Sequence, residues 1–310
     1  MPVDHDGHPH AYRGRFAPTP SGPLHLGSLL TALASYLDAR AAKGEWLLRI
    51  DDLDIQRSRP GAGDVILKTL EALSLNWDGS VTYQHERRWR YDESLERLRA
   101  TGLLYACDCT RRDTHDASPQ VSGSCPGQCR DRNLVFTAGK TALRIRASLS
   151  PICFEDRIKG PQTKSLIPDP GDFIVFRRDA IHAYHLATVM DDHDAGITDI
   201  VRGEDLLAST PEQIHLQQCL GLTIPNYAHT PLMIRPDGKK LSKSEGAPPA
   251  DPNHAGRILS VLLGHLGILL PEAIAQASPR EMLEWAIPQW RLSSIKSMGP
   301  ITVEDNRIPA

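Results

Sequence analysis

Four cysteines and two short polar segments carry most of the chemistry legible in this chain. Cys107-Asp108-Cys109 is followed, fifteen residues later, by Cys125-Pro126-Gly127-Gln128-Cys129. Four thiolates on two turns complete a tetrahedral Zn2+ shell with no open position, so such a metal is structural and folds its loop. Four free thiols or two disulfides are the alternatives, and His115 is a lower-ranked competing ligand. Cys153 and Cys219 stand alone and read as buried thiols. Nearer the N-terminus, Pro23-Leu24-His25-Leu26-Gly27-Ser28 lies where an extended segment meets a helix. A helix start offers unpaired N–H groups and a positive dipole end to phosphate. Gly27 lets a ring or phosphate approach the backbone, and His25 supplies a donor for charge developing on a phosphoryl group. The second segment, Lys239-Lys240-Leu241-Ser242-Lys243-Ser244, follows Pro236-Asp237-Gly238. Three lysines and two hydroxyls in six residues suit a triphosphate. Alone, the first segment reads as a helix cap and the second as a solvated basic loop.

The elements that must position these groups follow from periodicity. Gly14 to Ala17 is extended and leads into a loop rich in Pro and Gly. Leu24 to Lys43 has apolar residues at helical spacing and stops at Gly44. Glu45 to Ile50 is an apolar run of strand length, which completes a parallel βαβ unit. Ala62 to Leu75 and Glu86 to Ala100 read as amphipathic helices. Regular pattern stops between Cys107 and Cys129. Strand-like runs return at Leu143 to Ala147 and Asp172 to Arg177. Ile197 to Val201 reads as a strand and Pro211 to Leu220 as a helix. Thr230 to Ile234 leads into the basic loop. Beyond Pro249, Ile258, Leu262, Leu263, Leu266 and Leu269 form one helical stripe. The expected division is a flexible tail over 1–12, catalytic halves over 13–103 and 185–247, an inserted module over 104–184, and a helical C-terminal region over 248–310.

Bulk properties limit the alternatives. The chain has 310 residues, enough for two domains or one enlarged one, with 40% hydrophobic and 24% charged residues, ordinary for a globular protein. A net charge of −3 removes any overall basic footprint, so RNA binding requires a local patch. Arg87, Arg88 and Arg90 around Trp89, and the pair Arg111-Arg112, are candidate phosphate contacts. No apolar run spans a bilayer, and Met1 to Tyr12 has no signal-peptide core. Clustered cysteines without a secretory signal favour metal over disulfides and the cytoplasm as compartment.

The two polar segments, over 200 residues apart and in this order, resemble the HIGH and KMSKS elements of class I aminoacyl-tRNA synthetases. The likeness extends to Gly14-Arg15-Phe16-Ala17-Pro18-Thr19-Pro20-Ser21-Gly22, to Leu48-Arg49-Ile50-Asp51-Asp52-Leu53-Asp54, and to Ala183 through Leu206 with Val201-Arg202-Gly203-Glu204-Asp205. These are similar to glutamyl-tRNA synthetases over roughly residues 13–245. The resemblance implies an α/β fold, a Rossmann-like parallel sheet with helices on both faces, interrupted by a zinc-containing insertion and closed by a short helical tail. It also implies site roles. Arg15 and Arg202 would meet the glutamate carboxylates, Tyr184 would line the same pocket, and the loop Arg15-Phe16-Ala17-Pro18-Thr19 would hold the amino acid. His25, Gly27, Ser28, Lys240, Ser242 and Lys243 would bind ATP, with His25 and Lys243 catalytic. Tyr184 as ordinary core and Arg202 as a sheet-end ion pair are the plainer alternatives. The family usually has glutamate where this chain has Asp51, one methylene shorter, which implies a looser or water-mediated contact with the substrate amino group. Ser28 replaces the second histidine of HIGH.

Only 66 residues follow Ser244, too few for the helical anticodon-binding region of full glutamyl-tRNA synthetases. With the cysteine loop, this architecture resembles glutamyl-queuosine tRNA(Asp) synthetases. That resemblance implies activation of L-glutamate with Mg2+-bound ATP in the absence of tRNA. It further implies transfer to queuosine in the anticodon loop of tRNA(Asp), by a monomer in the cytoplasm. The competing readings are a general glutamyl-tRNA synthetase charging a 3′ end and a non-catalytic RNA-binding paralogue.

Overall fold

The computed structural model describes residues 11–110, 113, 125, 127–241, 248–296 and 298–303. β1 (Arg13–Phe16), α1 (Leu26–Ala41) and β2 (Glu45–Ile50) form the expected βαβ unit, with β1 and β2 parallel from Arg13↔Glu45 to Phe16↔Leu48. α1 is buried almost all round, as its run of Leu and Ala dictates. Gly44 lies against the Tyr12 carbonyl so closely that a Cβ there would fall 2.2 Å from its oxygen, so only glycine fits. α2 (Ala62–Ala72), β3 (Thr82–Tyr83) and α3 (Arg88–Ala100) follow, and β3 pairs in parallel with β2.

β4 (Leu104–Cys107), β5 (Ala142–Ile145) and β8 (Phe173–Phe176) make a separate antiparallel sheet that carries the cysteine loop between its first two strands. The stretch expected as one insertion also supplies the hairpin β6 (Ile152–Asp156) and β7 (Gly160–Lys164), which joins a second sheet in the order β7-β6-β10-β9. β9 (Asp199–Gly203) and β10 (Asn226–Thr230) run parallel, with α4 (Tyr184–Asp194) before them and α5 (Thr210–Leu220) between them. The Thr198 N–H donates to the Arg13 carbonyl at 3.0 Å, which sets β9 beside β1. The strand order therefore reverses between β1 and β9, and the crevice at such a switch point is where open parallel sheets bind ligands.

The C-terminal region is part of the core. α6 (Ala255–His265), α7 (Glu272–Ala275) and α8 (Pro279–Ala286) follow, and α6 and α8 contribute Ile258, Leu262 and Met282 to the cluster that contains α1. Asp38 of α1 accepts from Tyr12 (2.6 Å), Arg157 (2.6 Å) and Trp290 (3.1 Å), joining three distant stretches at one buried carboxylate. β12 (Ile301–Thr302) pairs in parallel with β11 (Met233–Ile234) at the base of the basic loop. Leu269, expected on the apolar stripe, is 81% exposed, because α6 stops at His265 and Gly267 turns the chain at φ +80°.

Candidate active site

His25 caps α1. Its Nδ1 accepts from the Ser28 N–H at 3.2 Å, and its Nε2 lies 3.1 Å from the Ser28 hydroxyl. With Nδ1 accepting, the neutral ring carries its proton on Nε2, so that edge is the donor. Gly27 sits beneath this ring: a Cβ there would meet His25 Cε1 and Nδ1 at 3.2 Å and the Leu241 carbonyl oxygen at 3.6 Å. Thus the two polar segments, distant in sequence, line one cavity. Between them lies a cavity of about 560 Å3, with Phe16, Pro18, Thr19, His25, Gly27, Ser28 and Lys240 in its wall. It opens at the C-terminal ends of β1, β9 and β10. Leu241 is tied down by its N–H to the Met233 carbonyl (2.8 Å), and Lys240 pairs with Asp205. Ser242 and Lys243 lie outside the described residues.

Other expected residues are buried in polar groups outside the lining of that cavity. Arg202, 3% exposed, donates from Nη1 to Gln213 Oε1 (2.7 Å), from Nη2 to Thr210 Oγ1 (2.8 Å), and from Nε to His229 Nε2 (3.0 Å). His229 in turn donates from Nδ1 to Asp156 Oδ2 at 2.5 Å. Burial lowers the His229 pKa despite the facing carboxylate, so the ring stays neutral and keeps Nε2 free to accept. Burial pushes Asp156 upward, but His229 and the Lys159 and Ile158 N–H groups outweigh it and hold the carboxyl below its ordinary range.

Arg15 is bidentate to Asp192 at 3.1 and 3.2 Å, and Arg49 joins the same carboxylate at 2.6 Å while donating to Asp51 at 2.7 Å. Burial, with Asp191 and Asp192 nearby, pushes Asp51 up to about 6 in spite of Arg49. Tyr184 opens α4, is 39% exposed, and sets its ring edge-on to His185. Ala17 is half-buried and lies between the cavity residues Phe16 and Pro18. Of the described expected residues, some line one open cavity, Arg202 and the set of Arg15 and Asp51 sit in two buried polar groups, and Tyr184 is exposed outside both.

Cys107, Cys109, Cys125 and Cys129 converge, with all four Sγ atoms within 4.8 Å of one another. Cys109 lies 3.4 Å from Cys129 and 3.7 Å from Cys125, near the roughly 3.8 Å edge of a tetrahedron with ~2.3 Å Zn–S bonds and well beyond a bonded S–S pair. All four are free thiols. Burial raises Cys109, whereas backbone N–H groups and Tyr105 outweigh burial at Cys125 and bring it down to about 7. The donor set fits a metal ion. Arg130 and Tyr105 fasten the loop to the fully buried Asp172 at 2.6–2.7 Å. Cys153 departs from expectation: it is exposed on the outer face of β6, while Cys219 is half-buried.

A family model described as the catalytic domain of class I tRNA synthetases (E and Q) matches residues 11–250. A glutamyl-Q tRNA(Asp) synthetase of Synechococcus is 49% identical over 291 residues, covering 91% of this chain and 97% of the relative. The Pseudomonas aeruginosa protein of the same name is 47% identical over 95% of this chain and 98% of its own length. The chain belongs to the glutamyl-Q tRNA(Asp) synthetase family. It is thus a ligase of the aminoacyl-tRNA synthetase type. Among solved structures, a glutamate tRNA ligase from Elizabethkingia meningosepticum superposes with a TM-score of 0.77 at 26% identity, over 96% of this chain and 68% of that one. No described helix is long and apolar enough to cross a membrane.

Several residues around the cavity and the buried arginines were given no role in the sequence reading. Arg57, Arg59, Gly203 and Asp205 line the cavity with His25. A Cβ at Gly203 would meet Asp205 Oδ1 at 2.7 Å, so this glycine lets the carboxylate fold back over the strand end. Asp156, His229, Gln213 and Thr210 hold Arg202, and Asp192 holds Arg15. The only sequence signal for these was position: Thr210 begins a helix, and the paired acids Asp191-Asp192 follow the apolar run Leu186-Ala187-Thr188-Val189-Met190 broken only by Thr188.

Proposed function

We propose that the chain activates L-glutamate with ATP to glutamyl-adenylate without tRNA, and then transfers glutamate to queuosine in the anticodon loop of tRNA(Asp). The observation that carries this reading is the meeting of His25-Leu26-Gly27-Ser28 with Lys240-Leu241 across one cavity at the sheet's switch point. Relatives sharing that name over nearly their whole length add to it. A glutamate carboxylate oxygen attacks the α-phosphorus of ATP, and the bond to the bridging oxygen of pyrophosphate breaks. His25 donates toward the phosphoryl oxygens from Nε2, and Lys243 and Lys240 balance the negative charge. Gly27 and Ser28 offer the α1 N-terminus to the nucleotide, and Ser242 extends the lysine loop. Magnesium bound with ATP supplies charge neutralisation. Arg202 and Arg15 hold the substrate carboxylates, Tyr184 covers the pocket, and the loop from Phe16 through Ala17 and Pro18 to Thr19 seats the amino acid beside Asp51. A queuosine hydroxyl then attacks the carbonyl, its proton is lost, and AMP leaves. In this reading residues 13–103 and 185–247 are the catalytic halves, 104–184 the inserted module and 248–310 a helical closure, in a cytoplasmic monomer. Cys107, Cys109, Cys125 and Cys129 hold one structural Zn2+.

Glutamate-dependent ATP–pyrophosphate exchange without RNA tests activation, and its absence with every amino acid would overturn the reading. Labelled glutamate should enter queuosine-containing tRNA only, with the label recovered in the anticodon fragment after nuclease digestion. Label on the 3′ terminal adenosine would favour the general synthetase instead. Purified protein should contain one zinc per chain. Cys109→Ser should lose the metal and lower the melting temperature while leaving activation measurable at 25 °C.

A further inference from the structure

A second cavity, about 690 Å3, opens beside the His25 cavity and takes no part in the steps above. Arg59 lines both, so the two cavities adjoin at that guanidinium. Its wall combines Ile55, Arg59, Tyr83, His85 and Arg88. The arginines here sort into two kinds. Arg87 and Arg90 turn inward to Asp191 and Asp194 at 2.6–2.9 Å, which removes them as phosphate contacts. Arg57, Arg59 and Arg88 are exposed, and among the described residues none of their side chains has a carboxylate partner. Three uncompensated guanidiniums along the two adjoining cavities leave a cationic track in a chain whose net charge is −3. Two carboxylates share the wall with Arg59 and Arg88. Asp52 is occupied by the His85 N–H (2.9 Å) and ring Nδ1 (2.5 Å), and Asp64 stands in the first turn of α2.

Beside that track lies surface suited to flat rings. Tyr83 and His85 meet edge to face at 5.9 Å. Ile55 and Trp89 are 67% and 65% exposed, although large apolar side chains ordinarily bury. Cations interleaved with stacking rings are the recurring arrangement for unpaired nucleotides, where phosphates follow the charge and bases lie on the rings. We infer that this second cavity receives unpaired anticodon-loop nucleotides of the RNA acceptor, with phosphates along Arg59 and Arg88, and so delivers the acceptor hydroxyl into the adjoining cavity. This assignment rests on the proposed acceptor. The meeting of the two cavities at Arg59 selects RNA as the occupant, because in the proposed reaction the acceptor is the macromolecule that must reach the adenylate cavity.

The test uses the full chain with Arg88→Glu, Arg88→Lys and Ile55→Ser, none of which touches the His25 cavity. Glutamate-dependent exchange without RNA should stay within twofold of the parent in all three. For glutamate transfer, the KM for queuosine-containing tRNA should rise about tenfold with Arg88→Glu and about threefold with Ile55→Ser, while Arg88→Lys recovers most of the loss. Binding of a fluorescent anticodon stem-loop, followed by anisotropy, should weaken in the same order. Unchanged KM and unchanged loop binding in every variant would overturn the groove, as would an equal loss of exchange. If the parent binds the loop through Arg88 but transfers no glutamate, the groove stands and the acceptor chemistry falls.

Discussion

Around Arg202 the guanidinium donors Nε, Nη1 and Nη2 are already engaged, by His229, Gln213 and Thr210, and behind His229 stands Asp156, fully buried. Around His25 the pairs sit in water: Lys240 and Asp205 expose about two-fifths of their side chains, and Arg57 and Arg59 have no ion-pair partner among the described residues. The first region pays its ordering cost on folding, so its charges are aimed before any substrate arrives. The second depends on incoming phosphates to order its cations. Under the proposed function, a rigid amino-acid side and an open nucleotide side would let glutamate activation proceed without RNA to shape the pocket.

Substitutions in the two regions should therefore fail in different ways. Arg202→Ala removes a buried charge and orphans three partners. Exchange should lose on the order of 10^3 in kcat/KM for glutamate, about 4 kcal/mol, with the KM for ATP nearly unchanged. His25→Ala removes a donor used as charge develops, so kcat should fall by about 10^2 to 10^3 with both KM values within a few-fold. Equal damage to both KM values by either substitution would erase the division. Asp156→Asn sharpens it further. The carboxylate touches no substrate, but it fixes the His229 tautomer and through it the Arg202 plane. We expect the KM for glutamate to rise about tenfold while the KM for ATP stays put. A fall in melting temperature with no change in glutamate KM would reduce Asp156 to a packing role.

The two regions also differed in how far the sequence disclosed them. His25, Gly27, Ser28 and Lys240 lie in short local motifs, and the four cysteines declare themselves by spacing, so these sites were readable before any fold was known. Arg202 was readable, but its partners come from β6, β10 and α5, and nothing local marks Asp156 or His229 as its supports. β6 was missed because Ile152-Cys153-Phe154-Glu155-Asp156 alternates buried and exposed side chains in too polar a run to register as a strand. The same omission placed Cys153 inside. Among the arginines near Trp89, composition suggested one RNA-binding cluster. Only the fold separates Arg88, which faces the cleft, from Arg87 and Arg90, which neutralise α4.

The smallest expected effect concerns pH and separates the buried side from the open one. Glu212 of α5 lies 3.6 Å from His185, too long for a hydrogen bond, and burial disfavours the charged form of both. Burial, with Asp169 adding to it, pushes Glu212 up to about 7, and burial with Arg202 nearby brings His185 down to about 4. Below the ordinary glutamate value near 4.5 this carboxyl is protonated in both folded and unfolded chains and costs nothing. As pH rises toward 7 the unfolded chain ionises first, so the folded state loses stability, and above 7 the loss levels off. Glu212→Gln removes that slope. Its melting temperature should match the parent near pH 4.5 and exceed it by roughly 3 °C at pH 7.5, for a difference on the order of 2 kcal/mol. Because burial is the largest cause of the Glu212 shift, most of the gain should persist at high salt, where the exposed Lys240–Asp205 pair is screened. A gain that vanished with salt, or that was equal at both pH values, would put Glu212 with the open side of the molecule.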